Sequence, residues 1–416
     1  MRVPWRAGLG AIAATAAAVH SARTQVTTRT RDSSGVAIVE HRGTPRDTSW
    51  RMASTPMTRI GSASGTDANA TFSIIQGAVR LSNGTVVVLT RDDARWFDAN
   101  GRYLTTAPRK GGGPGELRFA NQIVRLAGDS VLVSGNSFAD QKDATFTPAG
   151  KLAHEELLDY AKFRGLGRWL EGPFGVLPDR SRYVSAEAPE LPARNEQPGL
   201  LRNFTRTYRV NPSLDARYAL GLDGGIEQFG IDLGDRWPYF VVHPFHSRSA
   251  FAAGGDNLRV AMVTNPQYVI DLWRPDGRLE RSIRRIDGRR AATATDKVAA
   301  RAQLKANETR YSRKDPATVD RIIGAVPVPD SLPSVRRLFI TPDGSVLAVR
   351  WSIDDKAPVI YDVFDPRGAF VSVFHMPPRF RVLEFGRDYV LGVRLDDDDV
   401  PFVEAYRLIR ATSRGG

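Results

Sequence analysis

The sequence contains no cysteine, and this absence excludes several kinds of chemistry at once. No disulfide can form, so strand pairing and packing alone must hold the fold together. A cysteine nucleophile is excluded, and so is a lipid-modified cysteine that would anchor the chain to a membrane. The Gly-x-Ser-x-Gly motif is also absent, which removes the nucleophile elbow of the α/β-hydrolases.

Lysine is also scarce, and arginine supplies most of the positive charge. Of the 58 basic residues, 8 are lysines and 50 are arginines, and the formal net charge is +12. So lopsided a ratio is typical of GC-rich coding sequences, which makes the charge weak evidence for a function. The arginines are scattered and form no ladder with aromatic residues, which argues against a nucleic-acid partner. A net positive chain would suit an anionic component of the cell envelope as its partner.

Long apolar runs are confined to the N-terminus. Arg2 and Arg6 precede an apolar run over 7–19, and small residues follow it. This order predicts a secretory signal peptide over residues 1–22, with an uncleaved anchor or a disordered tail as the alternative. No second candidate span follows. The sequence therefore predicts an exported protein, periplasmic or extracellular, without a transmembrane segment.

A short phrase recurs along the rest of the chain, in which an apolar strand ending meets a turn containing glycine and a second apolar run. It stands at 97–104 (FDANGRYL), 145–152 (TFTPAGKL), 272–279 (LWRPDGRL) and 363–370 (VFDPRGAF). A partner phrase, with glycine before alternating apolar residues, precedes each one, at 82–89, 127–134, 254–261 and 342–349. Both phrases read as hairpins, and a unit of four short strands repeated every 40 to 50 residues or so indicates a β-propeller blade.

The repeats predict an all-β, monomeric, six-bladed β-propeller over residues 57–408, after an N-terminal extension over 23–56 and before a C-terminal tail over 409–416. The extension holds one short strand, at 35–40. The last blade has only three strands before the chain ends. Because a three-stranded blade would expose an edge, we expect the segment 57–60 to supply its missing strand. The third blade is the least regular, and its strand boundaries stay open.

One segment, 291–324, departs from the β pattern. Its residues 295–312 contain no glycine or proline and predict a helix. Asp315, Pro316 and Gly324 then predict a second short helix, as N-cap, first-turn proline and C-cap. This helical insertion lies between the fourth and fifth blades. It either covers a connection or acts as a lid over the central channel.

The glycine-rich stretch at 109–117 (RKGGGPGEL) resembles the joint between blades of NHL-repeat propellers. The chain is still more similar to exported bacterial six-bladed β-propeller proteins of uncharacterised function, with matching pieces in order at 32–40, 244–251, 326–351 and 388–408. The resemblance implies the fold and almost nothing about an activity. A phosphate-binding loop is the competing interpretation of 109–117, but it needs a helix directly after the glycines, whereas a strand pattern follows.

Two groups of side chains could hold a metal ion. His243 and His246 have a spacing that can direct both imidazoles at one metal, although no third ligand is evident nearby. Residues 396–399 are four consecutive aspartates, whose oxygens suit calcium but whose place between the last two strands also suits a solvated edge. The sequence predicts no cofactor, and a divalent metal bound in the channel is kept as an alternative.

Three arginines are the candidate ligand-binding residues. Arg80 (GAVRL) and Arg125 (QIVRL) occupy matching places in the innermost strands of the first two blades, and Arg337 (SVRRLF) is a looser counterpart in the fifth. Such arginines could bind an anionic group by paired hydrogen bonds, or they could pair with acidic residues of neighbouring blades. With no complete catalytic set in the sequence, we predict a non-catalytic binding or interaction scaffold. The alternative is a metal-dependent hydrolase or lyase with its site in the central channel.

Overall fold

The structure is a computed structural model that describes residues 26–46, 49–63, 65, 67–135, 141–159, 170–187, 198–202, 205–213, 217–223, 227–242, 245–246, 249–263, 267–354 and 357–410. Within these residues the protein is mostly β, as the sequence predicts, and two helices interrupt the strands. Its strands form small antiparallel sheets in which consecutive strands are neighbours. This arrangement is typical of the β-propeller class.

The N-terminal part contributes three strands to sheets formed later in the chain. They are β1 (Thr27–Ser33), β2 (Val36–Arg42) and β3 (Arg51–Ile60). The sequence predicts a single strand before residue 57, at 35–40, and does not predict β1. Every side chain of β1 is exposed and polar or charged, which leaves no alternation of apolar residues to reveal the strand.

Five sheets are four-stranded and antiparallel, and one more has four antiparallel strands that two N-terminal strands extend. The first comprises β4 (Gly77–Arg80), β5 (Val86–Leu89), β6 (Ala94–Phe97) and β7 (Tyr103–Thr106). The second comprises β8 (Ala120–Arg125), β9 (Val131–Gly135), β10 (Lys142–Phe146) and β11 (Leu152–Leu157). The third comprises β12 (Leu170–Val176), β13 (Arg182–Glu187), β15 (Thr205–Val210) and β16 (Arg217–Asp223). A separate three-stranded sheet comprises β14 (Gly199–Arg202), β17 (Glu227–Ile231) and β18 (Tyr239–Val241), with β17 in the middle.

The fourth sheet comprises β19 (Ala250–Gly254), β20 (Arg259–Val263), β21 (Val269–Trp273) and β22 (Leu279–Arg285), and β2 and β1 extend it to six strands. Two short strands, β23 (Arg290–Ala291) and β24 (Ser331–Leu332), pair with each other beyond it. The fifth sheet comprises β25 (Val335–Ile340), β26 (Val346–Arg350), β27 (Val359–Phe364) and β28 (Phe370–Met376).

The sixth sheet combines the two ends of the described chain. It comprises β29 (Phe380–Phe385), β30 (Tyr389–Leu395), β31 (Pro401–Ile409) and, on the outer side of β31, β3. Thr58, Arg59 and Ile60 of β3 lie opposite Ala405, Glu404 and Val403. The segment 57–60, expected to complete the last blade, is thus the C-terminal part of a longer strand in this sheet.

The glycines of the recurring phrase explain why it repeats. Gly101 has φ of 83° and Gly277 the same value, a region that favours glycine in the turn between the last two strands of a sheet. A Cβ at Gly101 would lie 2.5 Å from the carbonyl oxygen of Arg59 in β3, and one at Gly277 would lie 2.7 Å from that of Ala219 in β16. Each of these turns therefore packs against the outermost strand of another sheet, the sixth sheet for Gly101 and the third for Gly277.

Apolar side chains fill the space between successive sheets. Trp96 of the first sheet and Phe146 of the second meet edge to face with ring centroids 5.8 Å apart, and both are fully buried. Phe339 of the fifth sheet and Phe385 of the sixth meet in the same way at 5.1 Å. Burying a side chain of this size contributes about 1.5–3 kcal/mol, so these layers between sheets stabilise a fold that has no disulfides.

The helical insertion consists of α1 (Ala294–Tyr311) and α2 (Pro316–Ala325). Asp315 is the N-cap of α2, since its carboxylate accepts a hydrogen bond from the N–H of Thr318 at 3.0 Å. The predicted C-cap was wrong: Gly324 lies inside α2, which ends one residue later where Val326 turns to an extended conformation. Of the helices in the described part of the chain, neither is long and apolar enough to cross a membrane.

The two helices pack on the small sheet beside them. Leu304 of α1 and Ile322 of α2 join Ile231 of β17 and Val241 of β18 in one buried cluster. The hydroxyl of Tyr239 donates to the carboxylate of Glu308 at 2.9 Å. These contacts suit an element that covers a connection between sheets.

Candidate functional site

A cavity of about 830 Å³ opens between the first strands of the second, fourth, fifth and sixth sheets. Its wall comes from the ends of β8, β19, β25 and β29 and from the turns that follow β8 and β12. Apolar side chains such as Leu126, Leu338 and Phe385 alternate there with Arg125, Arg337 and Glu384. A concave, largely apolar site with a few convergent charged groups is the usual form of a small-molecule site. We call it the central cavity.

Arg125 reaches the central cavity from the last position of β8. Its Nη2 lies 2.6 Å from Oδ1 of Asp129, and its Nη1 donates to the carbonyl oxygen of Arg80 at 3.2 Å. Burial alone would raise the pKa of Asp129, but hydrogen bonds from Ser82 and the charge of Arg125 hold it below its usual range. The guanidinium is thereby positioned by an ionised carboxylate while it stays partly exposed to the cavity.

Arg80 has the register that the sequence predicts but a different environment. It lies opposite Val86, as Arg125 lies opposite Val131, so the two arginines hold equivalent places in adjacent sheets. The guanidinium carbon of Arg80 stands 4.9 Å from the ring centroid of Tyr389, in the sixth sheet. Its buried Nε finds no hydrogen-bond partner among the described residues. Arg80 therefore packs on an aromatic ring, and Arg125 faces the cavity.

Arg337 is not at the strand position that Arg80 and Arg125 occupy in their own sheets. It lies opposite Val349, and the position equivalent to Arg80 and Arg125 is Ile340, opposite Val346. Arg337 therefore sits nearer the start of its strand than the other two. It still reaches the wall of the central cavity, where its Nη1 donates to the carbonyl oxygen of Val382 at 3.0 Å.

Glu384 is a charged residue of the cavity wall that the sequence does not single out, as are Asp179 and Asp256. Its carboxylate accepts hydrogen bonds from the Tyr389 hydroxyl at 2.9 Å and from the N–H of Arg80 at 3.2 Å. Burial raises the pKa of Glu384, while those hydrogen bonds and the charges of Arg125 and Arg80 oppose the rise. A single glutamate in FRVLEF looks like an ordinary outward-facing strand residue, and only its place in an innermost strand could have revealed it.

The predicted metal ligands gain no support from the described residues. His243 lies outside them, and His246 follows β18, where it has interactions of its own. Nowhere in the described ranges do three or more histidine, aspartate or glutamate side chains converge as metal ligands would. In the aspartate run, Asp396 accepts from the N–H groups of Asp398 and Val400, and Asp399 pairs with Arg379, so this run caps the turn between β30 and β31.

The glycine-rich stretch is a joint between sheets. The N–H of Gly113 donates to the carboxylate of Glu116 at 2.9 Å, and that of Gly115 donates to Glu155 at 2.5 Å. The chain then enters β8, and a phosphate-binding loop would require a helix there. Two of the amide groups that would cradle a phosphate are thus satisfied by carboxylates of this chain.

No protein-family model matches the chain, and no curated protein matches it. Several solved structures are distantly similar to it. A member of the DUF4221 family from Bacteroides vulgatus is 8% identical, with 88% of this chain and 100% of that one covered and a TM-score of 0.48. A protein from Bacteroides fragilis that is named as exported is 10% identical over 89% of this chain and 99% of its own, with a TM-score of 0.44. A gluconolactonase from Xanthomonas campestris is 14% identical over 86% of this chain and 97% of its own, with a TM-score of 0.34. Values this low transfer no activity.

Proposed function

We propose that this chain is an exported, closed six-bladed β-propeller that serves as a non-catalytic binding module, with a small polar ligand in its central cavity. The observation that carries the proposal is the cavity of about 830 Å³, whose wall combines apolar side chains with Arg125, Arg337 and Glu384. Its volume lies within the range of ordinary ligand sites, roughly 300–1,000 Å³.

Contacts between sheets support a closed ring. The turn glycines Gly101, Gly150, Gly277 and Gly368 approach the sixth, first, third and fourth sheets respectively. The N–H of Val176 donates to Gln122 at 3.2 Å between the third and second sheets, and Phe339 meets Phe385 edge to face between the fifth and sixth. These contacts link each sheet to the next and the sixth to the first.

The cavity offers charged groups of both signs, since Asp179, Asp256 and Glu384 line it together with two arginines. Asp179 pairs with Arg209 and Asp256 with Arg387, neither of which lines the cavity, so the arginines of the wall are the groups that an anionic part of a ligand would meet. The guanidinium groups of Arg125 and Arg337 both face the cavity, and planar guanidinium suits carboxylate or phosphate oxygens. Glu384 offers a carboxylate to a donor elsewhere on the same ligand. The chemistry that fits is a small polar acid that also carries hydroxyl or amino groups.

Replacement of Arg125 tests the proposal. Hydrogen bonds that involve a charged group contribute about 1.5–3 kcal/mol, so Arg125→Gln should weaken binding of the ligand about 10- to 150-fold. The ligand is sought by isothermal titration calorimetry with amino acids, sugar acids and sugar phosphates. Arg259→Gln is the matched control, because Arg259 forms a two-point ion pair with Glu280 at 3.0 Å, away from the cavity wall. A ligand that binds the Arg125 variant as well as the native protein would refute the site.

Export is the remaining part of the proposal, and its support is the order of Arg2, Arg6 and the apolar run over 7–19. These residues lie outside the described part of the chain. Mass spectrometry of the native protein should find an N-terminus between residues 19 and 23. A mature chain that begins at Met1 would contradict export.

A further inference from the structure

A second set of arginines lies near the starts of β25 and β29, away from the turn end where Arg125 sits. Arg337 is opposite Val349 and Arg381 is opposite Val393, in neighbouring innermost strands. Nη1 of Arg337 donates to the carbonyl oxygen of Val382 at 3.0 Å, and Nη2 of Arg381 donates to that of Ile75 at 2.7 Å. Both contacts are to neutral oxygens.

These two arginines border a pocket of about 610 Å³ with an apolar floor. The floor consists of buried side chains from the fifth and sixth sheets and from the loop before β4, namely Phe339, Tyr361, Phe380, Val382 and Ile75. Ile74 stands on its wall with 61% of its surface exposed. An exposed isoleucine above a buried aromatic floor leaves apolar surface that a ligand can cover. We call this the arginine-rimmed pocket.

Positive charge in this pocket is not balanced by the described residues. Four arginines line it, Arg336, Arg337, Arg379 and Arg381, against one carboxylate, Asp399. Asp399 pairs with Arg379 at 2.6 Å. The other three form no ion pair with any carboxylate in the described ranges. Burial lowers the pKa of Arg337; the charges of Arg381 and Arg336 lower it further, and Tyr361 raises it. Burial also lowers the pKa of Arg381. All three are exposed residues, but like charges held close together repel one another, and an anion between them would offset that repulsion.

A smaller cavity of about 290 Å³ adjoins the same two arginines on the other side. Its polar lining consists of Gln76, Asn121 and Gln122, with no carboxylate among its described residues. Arg337 and Arg381 therefore stand at the junction of an apolar compartment and an amide-lined one. A bare inorganic anion would use the arginines and leave the apolar compartment unfilled.

We propose that the arginine-rimmed pocket binds an amphiphilic anion, with its acidic group between Arg337 and Arg381 and its apolar chain or ring system on the Phe339, Tyr361 and Phe380 floor. This site is distinct from the central cavity, although Arg337 and Phe339 border both. Arg381 and Ile74 border the arginine-rimmed pocket and take no part in the wall of the central cavity. Variants at these two positions thus test this site independently of the proposed function.

The experiment is calorimetric titration of the full mature chain with decanoate, below its micelle concentration. Acetate supplies the acidic group alone, and decyltrimethylammonium supplies the chain with the opposite charge. Decanoate should bind at least 100-fold more tightly than either. Arg381→Gln should weaken decanoate binding at least tenfold, because it removes a charged hydrogen-bond donor, and Ile74→Ser should weaken it about fivefold through lost apolar contact. Arg259→Gln should bind decanoate as the native chain does.

Two results would overturn this inference. One is decanoate binding no tighter than acetate or decyltrimethylammonium. The other is an Arg381→Gln variant with native decanoate affinity. If Arg381→Gln lowers the melting temperature, Arg336→Gln replaces it, since the Arg336 side chain is exposed and forms no ion pair among the described residues. An unchanged decanoate affinity in that variant would equally reject the site.

Discussion

Deletion of residues 23–61 should cost on the order of 5–10 kcal/mol in the free energy of unfolding and convert the protein to aggregates. The deletion removes β3, so the buried side chain of Ile60 and the hydrogen bond from Thr58 to the carbonyl oxygen of Ala99 at 2.7 Å are lost. It also exposes the edge of β31, a nine-residue strand that is otherwise paired on both sides. Unpaired edges of this length template pairing with other chains. Size-exclusion chromatography and thermal melting measure both effects.

A shorter deletion provides the control for the role of β3. Removal of residues 23–42 takes away β1 and β2, which extend the outer side of the fourth sheet through the parallel pairing of β2 with β22, and leaves β3 in place. We expect a monomer with a smaller loss of stability, mainly from the buried side chains of Ile38 and Val39. Equal behaviour of the two deletions, or a monomer with an unchanged melting temperature after the longer one, would show that β3 does not close the sixth sheet.

Asp362→Asn should lower the free energy of unfolding by about 3–5 kcal/mol, the usual cost of removing one partner from a buried ion pair. Asp362 is fully buried in β27, and Oδ1 accepts from Nε and Nη2 of Arg350 at 2.9 and 2.7 Å. Oδ2 accepts from Arg285 at 2.8 Å and from the Tyr268 hydroxyl at 2.6 Å. The asparagine keeps the shape but leaves Arg350 without a counter-charge and Arg285 with only the more distant carboxylate of Asp287, at 3.5 Å. Because Arg285 and Tyr268 belong to the fourth sheet, the variant also weakens its contact with the fifth.

Urea unfolding at neutral pH measures this loss. Asp320→Asn is the matched control, since its carboxylate pairs with Lys305 at 2.8 Å and both side chains are more than half exposed. Exposed pairs contribute about 0–1 kcal/mol, so this variant should unfold almost as the native chain does. A loss of less than about 1 kcal/mol in Asp362→Asn would mean that the buried cluster is not what couples the two sheets.

The sequence predicts the strands of this protein where local patterning and packing agree. The turn glycines recur because a side chain would collide with the preceding sheet, as at Gly101 and Gly277, so the repeat is visible in the residues themselves. β1 leaves no such trace, because its side chains are all exposed and polar or charged, and their contacts, such as that of the Thr28 hydroxyl with His41, are polar. The residue type of Gly324 predicts a helix end, but the helix continues beyond it, because the N–H of Val326 donates to the carbonyl oxygen of Ile322.

The candidate site was less predictable, because most of its residues meet only when distant strands converge. Arg80 and Arg125 share a register that their local sequences reveal, and Asp129, the partner of Arg125, stands only four residues after it. The ring of Tyr389 beside Arg80 comes from the other end of the chain and could not be read from the local sequence. Glu384 contacts Arg80 across 304 positions of sequence, so no local pattern connects them. The metal hypothesis for His243 and His246 stays untested, since His243 lies outside the described residues.

The most direct test of the central claim is native mass spectrometry of the protein with its calorimetrically identified polar ligand, compared with the Arg125→Gln, Glu384→Gln double variant. A binding module with its ligand in the central cavity predicts one ligand per native chain, recovered with unchanged mass after prolonged incubation, and none on the double variant. A ligand retained by the double variant, or one recovered with an altered mass, would contradict the account.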